Sequence, residues 1–165
     1  MAHVLFYKYL PAIAMEETRE ITVRSDNGPF PRGVYSLLEM YCDDVDCDCR
    51  KVLFAVSYSE NKKMVAYIGY GWEDKEFYAR LVKHDQDGRK KVCYDSLGKI
   101  DKKMVDELMG PCLNSLSPQS SIAEDILKFV VEYVLTDEAY VERLKKHYML
   151  FKKAVKRSKK RKSAL

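Results

Sequence analysis

Residues 41–50 read YCDDVDCDCR, which places Cys42, Cys47 and Cys49 in a Cys-x4-Cys-x-Cys pattern. Three thiols at this spacing can converge on one cation. Zinc takes thiolate sulfurs at about 2.3 Å in a tetrahedral shell. Cysteine is commonly a small buried hydrophobe, but here the cysteines alternate with Asp43, Asp44, Asp46 and Asp48. That alternation predicts that the three are not all buried and that the loop serves a metal. Zinc is the expected cofactor, in a structural role.

A tetrahedral site needs a fourth ligand. His147 is the first choice, because it stands on the apolar stripe of a predicted final helix, three residues after Leu144 and four before Phe151. Cys112, after Gly110-Pro111, comes second. His84, Cys93, His3 and a loop carboxylate complete the set. The aspartates are expected outside the sulfur shell. Asp44-x-Asp46-x-Asp48 opens like a calcium-binding EF-hand loop, but Cys49 stands where that loop needs glycine and Ala55 where it needs glutamate.

Other chemistry is less well supported. Cys47 and Cys49 can also be read as a redox dithiol, but a reactive thiolate needs a neighbouring cation or helix N-terminus. Four aspartates oppose that and Arg50 alone favours it. Three thiolates also make a bound metal a weak Lewis acid. A thiol or redox enzyme is therefore kept as an alternative, and catalysis is not the expected role. Neither GxGxxG nor GxxxxGK[ST] occurs.

The basic residues point elsewhere. The chain of 165 residues carries 29 Lys and Arg against 25 Asp and Glu, a net charge of +4. Eight of the 29 lie between Lys152 and Lys162, a stretch without an acid. The remainder holds 21 basic and 25 acidic residues, a net of −4. Lys156, Arg157, Lys159, Lys160, Arg161 and Lys162 form the candidate nucleic-acid contact. Binding there is expected to be non-specific and salt-sensitive, and stacking is not expected, because no aromatic follows Phe151.

The elements that must position these groups fall into two halves. Strands are predicted at His3–Tyr9, Thr18–Val23, Gly33–Cys42, Val52–Ser59 and Met64–Trp72, with a turn at 59–62. On Gly33–Cys42, the apolar residues Val34, Leu38, Met40 and Cys42 share one parity. Residues 74–83 fit either a helix or a strand, and Asp87-Gly88 reads as a turn. Helices follow from Asp101 to Met109, stopped by Gly110-Pro111, and from a Ser121–Glu124 capping box to about Leu135. Thr136 or Asp137 then caps a last helix with Tyr140, Val141, Leu144, His147, Tyr148 and Phe151 on its apolar face. Strands first and helices last predict an α+β fold, an antiparallel sheet packed against C-terminal helices. The expected organisation is one domain over residues 1–151, with the cysteine loop at 41–50, and a basic tail over 152–165.

The stretches GVYSLLEMYCDDVDCDCRKVLF, AYIGYGW and YVERLKKHYMLFK resemble a family of uncharacterised bacterial proteins with a YCxxxxCxCR signature. Some of its members occur beside SEC-C-type zinc motifs. The resemblance implies a metal-binding domain and supports His147 as a ligand or close neighbour; it implies no reaction. With no apolar run near the ~20 residues of a membrane span and no signal-peptide pattern, a cytoplasmic location is expected. The expected role is an interaction module with a protein partner, the alternative a nucleic-acid accessory protein.

Overall fold

The computed structural model describes residues 3–84 and 92–163. The fold is α+β. Strands β1 (His3–Leu5), β2 (Arg19–Val23), β3 (Gly33–Cys42), β4 (Lys51–Tyr58), β5 (Lys63–Gly71) and β6 (Cys112–Leu113) form an antiparallel sheet in the order β1-β3-β4-β5-β6. Strand β2 shares the outer edge of β3 with β1. It pairs with residues 33–37, whereas β1 pairs with residues 40–42. The predicted first strand is correspondingly shorter. After Leu5 the chain makes a single 3-10 turn and enters α1 (Pro11–Glu17), a helix the sequence reading did not include. Proline at its first position accounts for that start, since its fixed φ suits a helix and its missing N–H has no partner there.

The ambiguous segment after β5 is a helix, α2 (Lys75–Val82). Asp74 settles it: its carboxylate accepts the Phe77 N–H at 2.7 Å, a helix N-cap. Helix α3 (Lys99–Met109) ends at Gly110, whose φ is +56°. A Cβ there would come within 2.3 Å of the Gly69 carbonyl oxygen, so only glycine fits. Gly71 is constrained by space instead, because a Cβ would lie 2.2 Å from the Tyr78 hydroxyl. The capping box is not formed. Helix α4 (Ala123–Phe129) is entered at Ile122, without a side-chain cap, and runs into a π-helical turn at Val130–Val134. The predicted Asp87-Gly88 turn lies outside the described residues.

Helix α5 (Glu138–Ser163) covers the sheet. Asp137 accepts the Tyr140 N–H at its start. Tyr140, Leu144, Tyr148, Phe151 and Val155 pack with Tyr35, Leu37 and Tyr41 of β3, Val52, Phe54 and Val56 of β4, and Ile126 and Val130. The parity of β3 that enters this core is therefore 35, 37, 39, 41, opposite to the apolar set read from the sequence. Two tyrosines and one leucine, Tyr35, Tyr41 and Leu37, enter the core there, because the aromatic rings fill the gap between sheet and helix. Strand β4 is buried on both parities, with Leu53 and Ala55 as enclosed as Val52 and Phe54. Helices α2 and α3 share a smaller core around Tyr78, Ala79, Leu97 and Val105.

The residues read as a basic tail continue the same helix. Val155, four residues after Phe151, is fully buried, so the packed domain does not stop at residue 151. Among the described residues, no helix is long and apolar enough to cross a membrane.

Candidate metal centre

Cys42 is the last residue of β3 and Cys49 stands two residues before β4. The connection brings the Cys42, Cys47 and Cys49 sulfurs within 4.8 Å of one another. All three are thiols, and all are buried, at 0%, 7% and 1% exposure. This corrects the expectation that they are not all buried. The alternation works in the opposite sense: Asp44, Asp46 and Asp48 face solvent while Cys47 and Cys49 turn inward against Leu81. Among the described residues this is the one cluster of His, Cys, Asp and Glu ligand atoms close enough to hold a metal ion. No carboxylate belongs to it.

The loop is held on three sides. The Asp46 N–H donates to Asp44 Oδ1 at 3.0 Å, which tightens the turn. From α5, Lys152 Nζ donates to the carbonyls of Cys47, at 2.7 Å, and Asp44, and the Tyr148 hydroxyl donates to Asp48 Oδ1 at 3.1 Å. From α2, the Tyr78 hydroxyl donates to the Arg50 carbonyl at 2.8 Å. This bond fixes Arg50 in the left-handed region, φ 40°. The Arg50 guanidinium bridges Asp48 at 3.0 Å and Glu73 at 3.1 Å and lies over the Phe77 ring. Arg50 thus answers the loop's carboxylates, not the sulfurs. A cleft of about 550 Å³ lies beside the loop, bordered by Cys47, Asp48, Trp72 and Lys152.

Three sulfurs this close cannot carry charge independently. Hydrogen bonds from Cys47 and Cys49, helped by the Asp44 backbone N–H, pull the Cys42 thiol down to about 2. The same contacts push Cys47 and Cys49 up, each first through its bond to Cys42. The contacts therefore favour the thiolate at Cys42 and the thiol at Cys47 and Cys49, and a bound cation would favour ionisation of all three.

The structure does not bring His147 to the sulfurs. Its position on α5 sets it opposite β3 and α1. Nδ1 lies 2.8 Å from Glu39 Oε2 and Nε2 3.2 Å from Glu17 Oε2, and the ring stacks on Phe6 at 4.6 Å. Glu39 also accepts the Tyr41 hydroxyl at 2.8 Å. Glu39 and His147 are 7% and 2% exposed, so each satisfies a polar group the other would leave buried and unpaired. Sequence reasoning missed this pair. The available signal was Glu39 itself, the one charged residue in β3.

The remaining candidates also lie apart. Cys112 donates from sulfur to the Glu107 carbonyl at 3.6 Å, and Cys93 to Glu76 at 3.8 Å. His84 is exposed beyond α2. His3 lies nearest in the fold: β1 pairs it with Cys42, and burial, then Lys51, lowers its pKa. The basic residues do not join the cluster. Lys153, Lys156, Arg157, Lys159, Lys160 and Arg161 are exposed on the last turns of α5, and the Lys162 side chain lies outside the described residues.

No protein-family model, curated protein or solved structure matches this chain. What the site can do is therefore argued from its own geometry.

A His147→Ala variant separates a core histidine from a ligand. It should lose about 3–5 kcal/mol of stability in denaturant titration, the cost of leaving a buried partner uncompensated. Its metal content should equal that of the unaltered chain; a metal-free but fully stable variant would reverse the assignment.

Proposed function

We propose that the chain is a zinc-binding α+β domain in which the metal is structural and the folded surface serves binding rather than catalysis. The observation that carries this is the convergence of three buried sulfurs on one point, inside a loop held from both α2 and α5. Zinc suits the donor set. Thiolates favour it over magnesium or calcium, and zinc needs no particular geometry from d electrons. Three thiolates transfer much charge to the ion, which weakens it as a Lewis acid and supports a structural role. Asp48 is bonded to Arg50 and Tyr148 and Asp44 to a backbone N–H, and no carboxylate lies with the three sulfurs. A zinc-fixed loop gives the end of the sheet a defined shape, which is what an interaction module requires.

The core does not depend on this ion, since α5 already covers the sheet. Replacing Cys47 or Cys49 by serine should therefore abolish bound zinc while leaving a folded chain. Its melting temperature should fall by about 4–16 °C, the shift about 2–4 kcal/mol makes at this size; Cys93→Ser should do neither. Unchanged zinc and unchanged melting in the Cys47 and Cys49 variants would refute the site.

A second reading is favoured by the exposed basic residues on an ordered helix, namely contact with nucleic-acid backbones. Truncation is a poor test, because cutting after Phe151 removes the buried Val155. Changing Lys156, Arg157, Lys159 and Arg161 to glutamine leaves the packing alone. With a single-stranded oligonucleotide as probe, the unaltered chain should bind with an affinity that falls steeply as salt rises, and the variant should lose that dependence. Equal, weak binding by both would leave α5 as packing alone.

A further inference from the structure

We infer that His3 is the fourth ligand of the metal centre, so that the ion joins β1 to the loop between β3 and β4. The inference rests on the zinc reading and adds the residue that closes the shell. Four observations converge on it. In the β1–β3 ladder His3 stands directly opposite Cys42. Residues so paired in an antiparallel sheet project to the same face, with Cβ atoms about 4.5–5.5 Å apart. His3 Nε2 is buried and has no hydrogen-bond partner. Buried polar atoms are nearly always bonded, and an exception calls for an ion or another missing partner.

The third observation is electrostatic proximity: after Lys51, whose charge acts on the ring in the opposite sense, the charges of Cys42 and Asp43 both act on His3. The fourth is the commitment of the competing donors. Both His147 nitrogens face carboxylates, Cys93 and Cys112 donate to Glu76 and to the Glu107 carbonyl, and His84 is exposed. His3 is thus the candidate with a buried, unused nitrogen beside a ligating sulfur. The set of atoms within 4.8 Å of one another contains the sulfurs and not this nitrogen. Ligation therefore requires the His3 side chain to turn toward Cys42. Strand β1 has three paired residues, and a bond from metal to His3 would anchor it at the end nearest the loop.

The test is X-ray absorption on the full chain loaded with zinc alone, unaltered and as His3→Ala and His3→Cys. In the unaltered chain the zinc shell should contain three sulfurs near 2.3 Å and one imidazole nitrogen near 2.0–2.1 Å. His3→Ala should lose the imidazole signature and bind zinc at least about tenfold more weakly in chelator competition, a loss of the order seen when a ligand's support is removed. His3→Cys should show four sulfurs, which keeps the test valid if the alanine variant does not fold. Hydrogen exchange at Val4 and Leu5 should speed up in His3→Ala under saturating zinc. An unaltered shell without imidazole, an imidazole that persists in His3→Ala, or a three-sulfur shell in His3→Cys would overturn the assignment while leaving the three-cysteine site standing. An unaltered chain that takes up no zinc would instead remove the site itself.

Discussion

Three buried sulfurs within 4.8 Å of one another form the constraint around which this end of the molecule is organised. Their mutual contacts lower the Cys42 thiol and raise those of Cys47 and Cys49. With a dication all three can ionise, and the energy of that coordination becomes energy for holding the loop. Everything packed against the loop fits that requirement. Tyr78 fixes its return, Lys152 and Tyr148 fix its crest, and Arg50 takes up the charge of Asp48 and Glu73. The aspartates are left to keep the outer surface hydrated. The same arrangement does not favour a redox dithiol, because the contact between Cys47 and Cys42 and that between Cys49 and Cys42 raise both thiols, and the Lys152 ammonium beside Cys47 is bonded to backbone carbonyls of the loop.

The second organising contact is α5 across the sheet. It supplies both the apolar core and the buried Glu39–His147 pair, with Glu17 on the far side of the ring. Buried ionisable groups of this kind add little net stability compared with an apolar substitute, yet cost much when one partner is lost. Their effect is to fix register: α5 can sit on β3 in one position only if His147 is to meet Glu39 and Lys152 is to meet the cysteine loop. One helix thereby sets both the core and the position of the cysteine loop.

Much of this was legible in the sequence. The span of β3 follows from Gly33 and the run of β-forming residues to Cys42, and the α5 stripe follows from 3.6-residue spacing. The sulfur cluster is a local feature, so its spacing was enough. Partners distant in sequence were not legible. Nothing near residue 147 announces Glu39, 108 positions away, and a histidine on an apolar face looks alike whether it meets a metal or a carboxylate. Helix α1 is too short to show a period. Ser121 and Glu124 match a capping box, but the chain enters α4 at Ile122, since tertiary packing outweighs a cap worth about 1 kcal/mol. A tail boundary at residue 151 follows from charge composition alone, whereas Val155, four residues after Phe151, continues the buried stripe.

The most direct measurement is the mass of the intact chain under native conditions, purified without chelator or added metal. The account predicts one zinc per chain, held by the thiolates of Cys42, Cys47 and Cys49. A chain at its metal-free mass, or one lacking two protons and carrying a disulfide among these cysteines, would contradict it.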